Sequence, residues 1–100
     1  MREVAITGIG STPFGKIEGR LGPSLAVEAA NAALLRAGVD RTEIGALYLG
    51  NFMSGPLSGQ EVLAGLVAEE LGLPNIPCTK VEGACASGGI AFRHACLAVA

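Results

Sequence analysis

A layered α/β fold follows from three features of this sequence of 100 residues. Short β-branched runs alternate with segments of helical period, the helical segments close at Gly or Pro, and the order strand then helix occurs three times in succession. No internal repeat or low-complexity tract interrupts that order.

Val4-Ala5-Ile6-Thr7-Gly8-Ile9 is short, β-branched and followed by a Gly and Pro cluster, which predicts a buried strand and then a loop through Gly22. Ser24 is placed to cap a helix to Ala37, with Glu28 in or near the first turn and Gly38 where left-handed geometry ends helices. The only strongly polar residues of that helix are Glu28, Asn31 and Arg36, so it reads as packed between layers. Asp40 and Glu43 have capping-box spacing and predict a short turn before a strand over Ala46 to Phe52. Met53 to Gly59 is rich in Gly, Ser and Pro and reads as a loop.

A second helix is expected from about Gln60 to Leu71, with Val62, Leu63, Leu66 and Val67 at helical spacing and Gly72 and Pro74 as stop signals. Glu69 and Glu70 fall at its carboxyl end, which disfavours acids, so they should be solvated or paired. Thr79 to Glu82 suits a strand after Pro77, and Gly83 opens the turn into a last helix from about Ala84. That helix shows no stop signal by Ala100.

Half of the residues are apolar and 16% are charged, an oily balance for a chain that can bury little over half of its unfolded surface. The expectation is one incomplete domain, either part of a longer chain or a subunit covered by another, with no second domain within residues 1–100. A formal net charge of -2 without a run of Lys or Arg argues against nucleic acid as a partner. Glu69-Glu70 and Arg93-His94 break the apolar stretches well short of the roughly 20 residues of a membrane span. Met1-Arg2-Glu3 leads straight into the first strand and not into a secretory signal, so the expected compartment is the cytoplasm. Three cysteines, Cys78, Cys85 and Cys96, without a C-x-x-C pair, support neither a disulfide framework nor a zinc knuckle, and no metal site is expected.

The stretch Val81-Glu82-Gly83-Ala84-Cys85-Ala86-Ser87-Gly88-Gly89 concentrates the chemistry. It sets a cysteine where a strand turns into a helix, and there unpaired N–H groups and the positive dipole end favour an anion such as a thiolate. A thiolate nucleophile forms covalent thioesters, which suits acyl transfer. Gly83, Gly88 and Gly89 leave the approach to the sulfur free of side chains. The competing reading of Cys85 is a small buried hydrophobe at a tight turn, and the residues alone leave the two balanced.

Gly8-Ile9-Gly10 lacks the third glycine of a dinucleotide-binding fingerprint, whose place is taken by Pro13, and a tight turn accounts for it better. His94 follows Cys85 by nine residues, about 900 degrees of helical rotation, so it faces the other way and reads as a packed or partly exposed residue. Cys96 lies roughly 16 Å further along the same helix, too far for a disulfide. Both Cys96 and Cys78 read as packing residues. Ser87 either donates a hydrogen bond near Cys85 or caps the helix start, the latter preferred.

Val81 to Ala91 resembles the active-site cysteine segment of the thiolases, in which a cysteine followed by Ala-Ser-Gly starts a central helix. Ile6 to Lys16, with Thr12-Pro13-Phe14-Gly15-Lys16, is similar to that family's first strand and following loop, and Gly50-Asn51, Gly59-Gln60 and Gly72-Leu73-Pro74 fall in the family's order. The cysteine segment is the specific part of this likeness. Glu82-Gly83-Ala84 departs from the biosynthetic and degradative thiolases, which carry an Asn after the Val, and looks more like the branch related to sterol carrier protein x thiolases and acetyl-CoA acetyltransferases.

The resemblance implies an α-β-α-β-α layered enzyme, of which these residues are the first strand-helix repeats and the start of the nucleophile helix. It implies an acyl-CoA acyltransferase with Cys85 as nucleophile, Gly83, Ser87 and Gly88 as active-site neighbours, and acid/base and oxyanion groups outside these residues. Coenzyme A thioesters are the implied substrates, with no bound cofactor. A homodimer or tetramer is implied, with Met53 and Gln60 at the interface, and that branch also pairs with small accessory proteins. Two rivals share the fold: a non-catalytic thiolase-like subunit of an acyl-CoA-handling complex, and a cysteine-dependent condensing synthase, against which the Thr12-to-Lys16 segment argues.

Overall fold

The computed structural model describes residues 1–15, 19 and 22–100. Helix α1 spans Gly22–Ala37 and strand β1 Leu47–Gly50, followed by α2 at Ser54–Ser58 and α3 at Leu63–Leu71. Strand β2, Cys78–Val81, then leads into α4 at Ser87–Val99. Single 3-10 turns cover Arg41–Glu43 and Ala84–Ala86. The two strands are parallel, with Leu47 opposite Cys78 and Gly50 opposite Val81. The ladder is extended at its ends by Leu47 N–H donating to Pro77 O and Asn51 N–H donating to Val81 O. A parallel pair needs a crossover, and α2 and α3 supply it.

Alternation along β1 assigns the layers. Leu47 and Leu49 point to the face where Leu63, Val67 and Leu71 of α3 form the core, joined by Ala26, Val27 and Ala30 of α1. Tyr48 and Gly50 point to the opposite face, where Tyr48 meets His94 of α4 edge to face at 6.2 Å between ring centroids and Gly50 lies against Ser87. Helices therefore cover both faces of the sheet, as the alternating pattern predicts. The buried helix is α3, which hides Leu63, Ala64, Val67, Ala68 and Leu71; α1, expected between layers, has no fully buried residue.

Local signals explain most boundaries. Helix α1 begins two residues before Ser24, because Pro23 fits a first turn whose N–H groups have no intrahelical acceptor. Glu28 consequently lies beyond the first turn. Gly38 adopts φ 65°, and Gly38 N–H to Leu35 O and Val39 N–H to Leu34 O complete a Schellman ending. Gly72, at φ 67°, closes α3 in the same way through Glu69 O and Ala68 O. Arg41 Nε donates to Leu71 O at 2.7 Å and its Nη2 to Asn31 Oδ1, tying α1 to the carboxyl end of α3. Glu69 and Glu70 are exposed there. The Asp40 turn forms as expected, although the Asp40 carboxylate accepts from Thr42 N–H and Thr42 Oγ1, at 2.9 and 2.8 Å.

Three expectations need correction. Residues 4–9 form no strand with any of the described residues, and Val4, Ile6 and Ile9 are exposed. A strand is defined by its ladder partner, and none of the described residues provides one. Gly8 and Gly10 do not serve a tight turn. A Cβ on Gly8 would stand 2.3 Å from Ala33 O, and one on Gly10 would stand 2.0 Å from Ala29 O, so these glycines let the chain lie directly on α1. Arg36 Nη1 donates to Ile9 O at 3.1 Å and fastens the contact. Finally, Met53 to Gly59 is not all loop. Pro56 sits early enough in α2 to need no donor, and Gly59 at φ 71° ends the helix. Part of the loop expected before Gly22, including Lys16, lies outside the described residues.

Candidate active site

The carboxyl ends of parallel strands are where open α/β sheets place their ligands, and both strands here deliver their following residues to that edge. After Gly50 come Asn51 and Met53; after Val81 come Glu82, Gly83 and the turn holding Cys85. Asn51 Oδ1 accepts from Met53 N–H at 2.9 Å, which bends the chain into α2.

Cys85 lies in the 3-10 turn Ala84–Ala86, immediately before α4, and its side chain is exposed. The thiol fills no core among the described residues. Cys78 and Cys96 are half-buried free thiols, the former with Sγ 3.5 Å from Ile76 O, as packing residues would be. His94 is half-buried and packs on Tyr48, as the packed reading expects.

Ser87 is buried, 4% exposed. Its Oγ accepts from Gly83 N–H at 2.9 Å and donates to Ala84 O at 2.7 Å, so it fastens the turn that carries Cys85 and, against the preferred expectation, does not cap α4, because its oxygen is turned back on residues that precede the helix. Glu82 Oε2 accepts from Ala84 N–H at 2.6 Å. A Cβ on Gly83 would press only on Ile90 Cδ1, the end of a side chain that can turn aside, whereas Gly88 and Gly89 face open space. The glycines around Cys85 thus divide into one beside a movable neighbour and two that leave room.

Met53 is half-buried at the start of α2, while Gln60 is exposed with Oε1 accepting from Val62 N–H at 3.0 Å. Between them lies a feature that sequence reasoning missed. Lys80 Nζ of β2 donates to Ser54 Oγ at 2.9 Å and pairs with Glu61 at 3.0 Å, tying the connection between β1 and α3 to the neighbouring strand. A lysine inside a short buried-strand pattern was the available signal, because such a charge needs partners.

The fold and this edge define a layered α/β chain that presents a thiol on a strand-to-helix turn at the carboxyl end of a parallel sheet. The chain belongs to the thiolase family: the model of the thiolase N-terminal domain matches residues 4–100. An acetyl-CoA acetyltransferase of Methanocaldococcus jannaschii is 50% identical over 100 residues, covering all of this chain and 26% of that protein. The benzoylsuccinyl-CoA thiolase subunit BbsB of Thauera aromatica is 38% identical, covering 94% of this chain and 23% of the relative. Among solved structures, the acetyl-CoA acetyltransferase of Syntrophomonas wolfei superposes with a TM-score of 0.82 at 30% identity, over 92% of this chain and 24% of that one. The chain therefore spans about a quarter of the length of the relatives it matches.

No helix among the described residues is long and apolar enough to cross a membrane.

Proposed function

We propose that this chain contributes the nucleophile of an acyl-CoA acyltransferase of the thiolase type, with Cys85 as the acyl carrier. The observation that supports it most is the exposed Cys85 thiol on the turn into α4, within a chain of this family. The Cys85 thiolate attacks the thioester carbonyl of an acyl-CoA; the new C–S bond forms, the bond to the CoA sulfur breaks, and CoA leaves as the thiol after taking up a proton. In the second half, the acyl group passes to the sulfur of free CoA or to the carbanion of a second acyl-CoA, and Cys85 is regenerated. The start of α4 favours negative charge at this edge and is suited to contribute to oxyanion binding. The substrates are CoA thioesters, with no bound cofactor in the scheme. Assembly as a homodimer or tetramer through the Met53 and Gln60 neighbourhood, and action in the cytoplasm, belong to the same proposal.

A second reading is a non-catalytic thiolase-like subunit of an acyl-CoA-handling complex, kept because the Thauera aromatica relative is named a subunit. One experiment separates the two. The intact protein is incubated with acetyl-CoA and with a longer acyl-CoA, quenched in acid, and the peptide containing Cys85 is examined by mass spectrometry. An acyl adduct that disappears in Cys85→Ala is the expected result. Folded protein that yields no adduct with either thioester overturns the nucleophile role for those substrates and moves the subunit reading ahead.

A further inference from the structure

Ala84 is the only non-glycine residue with positive φ among the described residues, at 50°. For an alanine this left-handed backbone is disfavoured about 5- to 30-fold, so surrounding contacts must hold it there. Both peptide groups flanking Ala84 are held by side chains. Its N–H donates to Glu82 Oε2, and its carbonyl accepts from Ser87 Oγ, which also accepts from Gly83 N–H. Rotation about φ would swing the N–H and rotation about ψ would swing the carbonyl, so the two side chains together fix both angles. Cys85 is the next residue, and the direction of its thiol is inherited from that backbone.

We propose that Glu82 and Ser87 are positioning residues that clamp Ala84 in its left-handed conformation and thereby aim the Cys85 thiol at the substrate carbonyl. The proposal rests on the reading of Cys85 as the nucleophile. It also gives Glu82 a specific role, since its carboxylate oxygen accepts a backbone N–H two residues along the chain.

The aim of the thiol is measured in the intact protein in two ways. Iodoacetamide labelling of Cys85, followed peptide by peptide by mass spectrometry, needs no acyl-CoA; the rate of acyl-adduct formation from acetyl-CoA reads the proposed reaction. Ser87→Ala and Glu82→Ala are each expected to slow both rates about 5- to 30-fold, with the half-saturating acetyl-CoA concentration unchanged. Glu82→Gln keeps an accepting oxygen and should recover most of the rate lost in Glu82→Ala. Ala84→Gly placed in the Ser87→Ala background should also recover most of the loss, because glycine adopts this φ without a clamp.

Wild-type rates in both alanine variants overturn the proposal. So does Glu82→Gln as slow as Glu82→Ala, which would assign the effect to charge, and so does a folded double variant without recovery. Should Ser87→Ala fail to fold, the exposed Glu82 series decides alone. Wild-type protein that is alkylated at Cys85 but forms no acyl adduct would sink the acyl-transfer reading, and the alkylation series would still decide the clamp.

Discussion

Gly50 of β1 lies against the backbone of Ser87 at the start of α4: a Cβ on Gly50 would stand 2.3 Å from Ser87 O and 2.6 Å from Gly88 N. Those atoms are main chain and cannot rotate aside, so the first turn of α4 approaches the sheet only because residue 50 has no side chain. Gly50→Ala is expected to lower stability by about 1–3 kcal/mol and to displace Cys85, slowing its alkylation. Urea unfolding and peptide-resolved labelling check both. Gly55→Ala is the control: its Cβ would meet only the Glu61 carboxylate, the end of a flexible side chain, and should be tolerated.

Leu63, Val67 and Leu71 carry the core on one face of α3. Leu71→Ala removes a side chain that is 4% exposed and should cost about 2–5 kcal/mol in denaturant unfolding. Leu35→Ala, at a residue 84% exposed on α1, should change stability by less than about 0.5 kcal/mol. Equal effects would mean that the core does not sit on α3.

Lys80 has two partners of unequal worth. Glu61 is 70% exposed on its side chain, and Glu61→Gln should cost no more than about 1 kcal/mol. Ser54 is buried, 3% exposed, and Lys80→Ala removes the donor that Ser54 Oγ accepts, at a cost of about 1–3 kcal/mol. Measuring both variants by thermal unfolding tests the order; Glu61→Gln as costly as Lys80→Ala would reverse it.

Asp40 is held below the usual carboxylate range by hydrogen bonds from the Thr42 backbone and side chain. A depressed folded pKa means that the unfolded chain binds the proton more readily, so the contribution to stability is present above the ordinary aspartate value of about 3.9 and is lost as pH falls through the lower folded value. The stability difference between wild type and Asp40→Ala should therefore be full near neutrality and shrink below about pH 4. A difference that stays constant down to acid denaturation would contradict this account.

The elements and the Cys85 turn were legible in the sequence because local chemistry specifies them. Gly38, Gly72 and Asp40 act within one or two turns of the chain, and the Val81-to-Gly89 segment carries its own strand, turn and helix signals. The short helix α2 was obscured by Gly55, Pro56 and Gly59, whose composition suits a loop as well as a single helical turn. The roles of Gly50, Lys80 and Glu82 were not legible, since each depends on an atom brought near by folding or by a side chain turning back on its own backbone.

Periodicity and turn chemistry operate over a few residues, so the alternation of strands and helices, the helix stops and the cysteine at a strand-to-helix junction can be read without the fold. That α3 rather than α1 is the buried helix, that Gly8 and Gly10 seat the chain on α1, and that Gly50 admits α4 to the sheet follow from tertiary contacts alone. Those outcomes turn on which surfaces meet, and close packing between elements is a property of distances that no single segment contains.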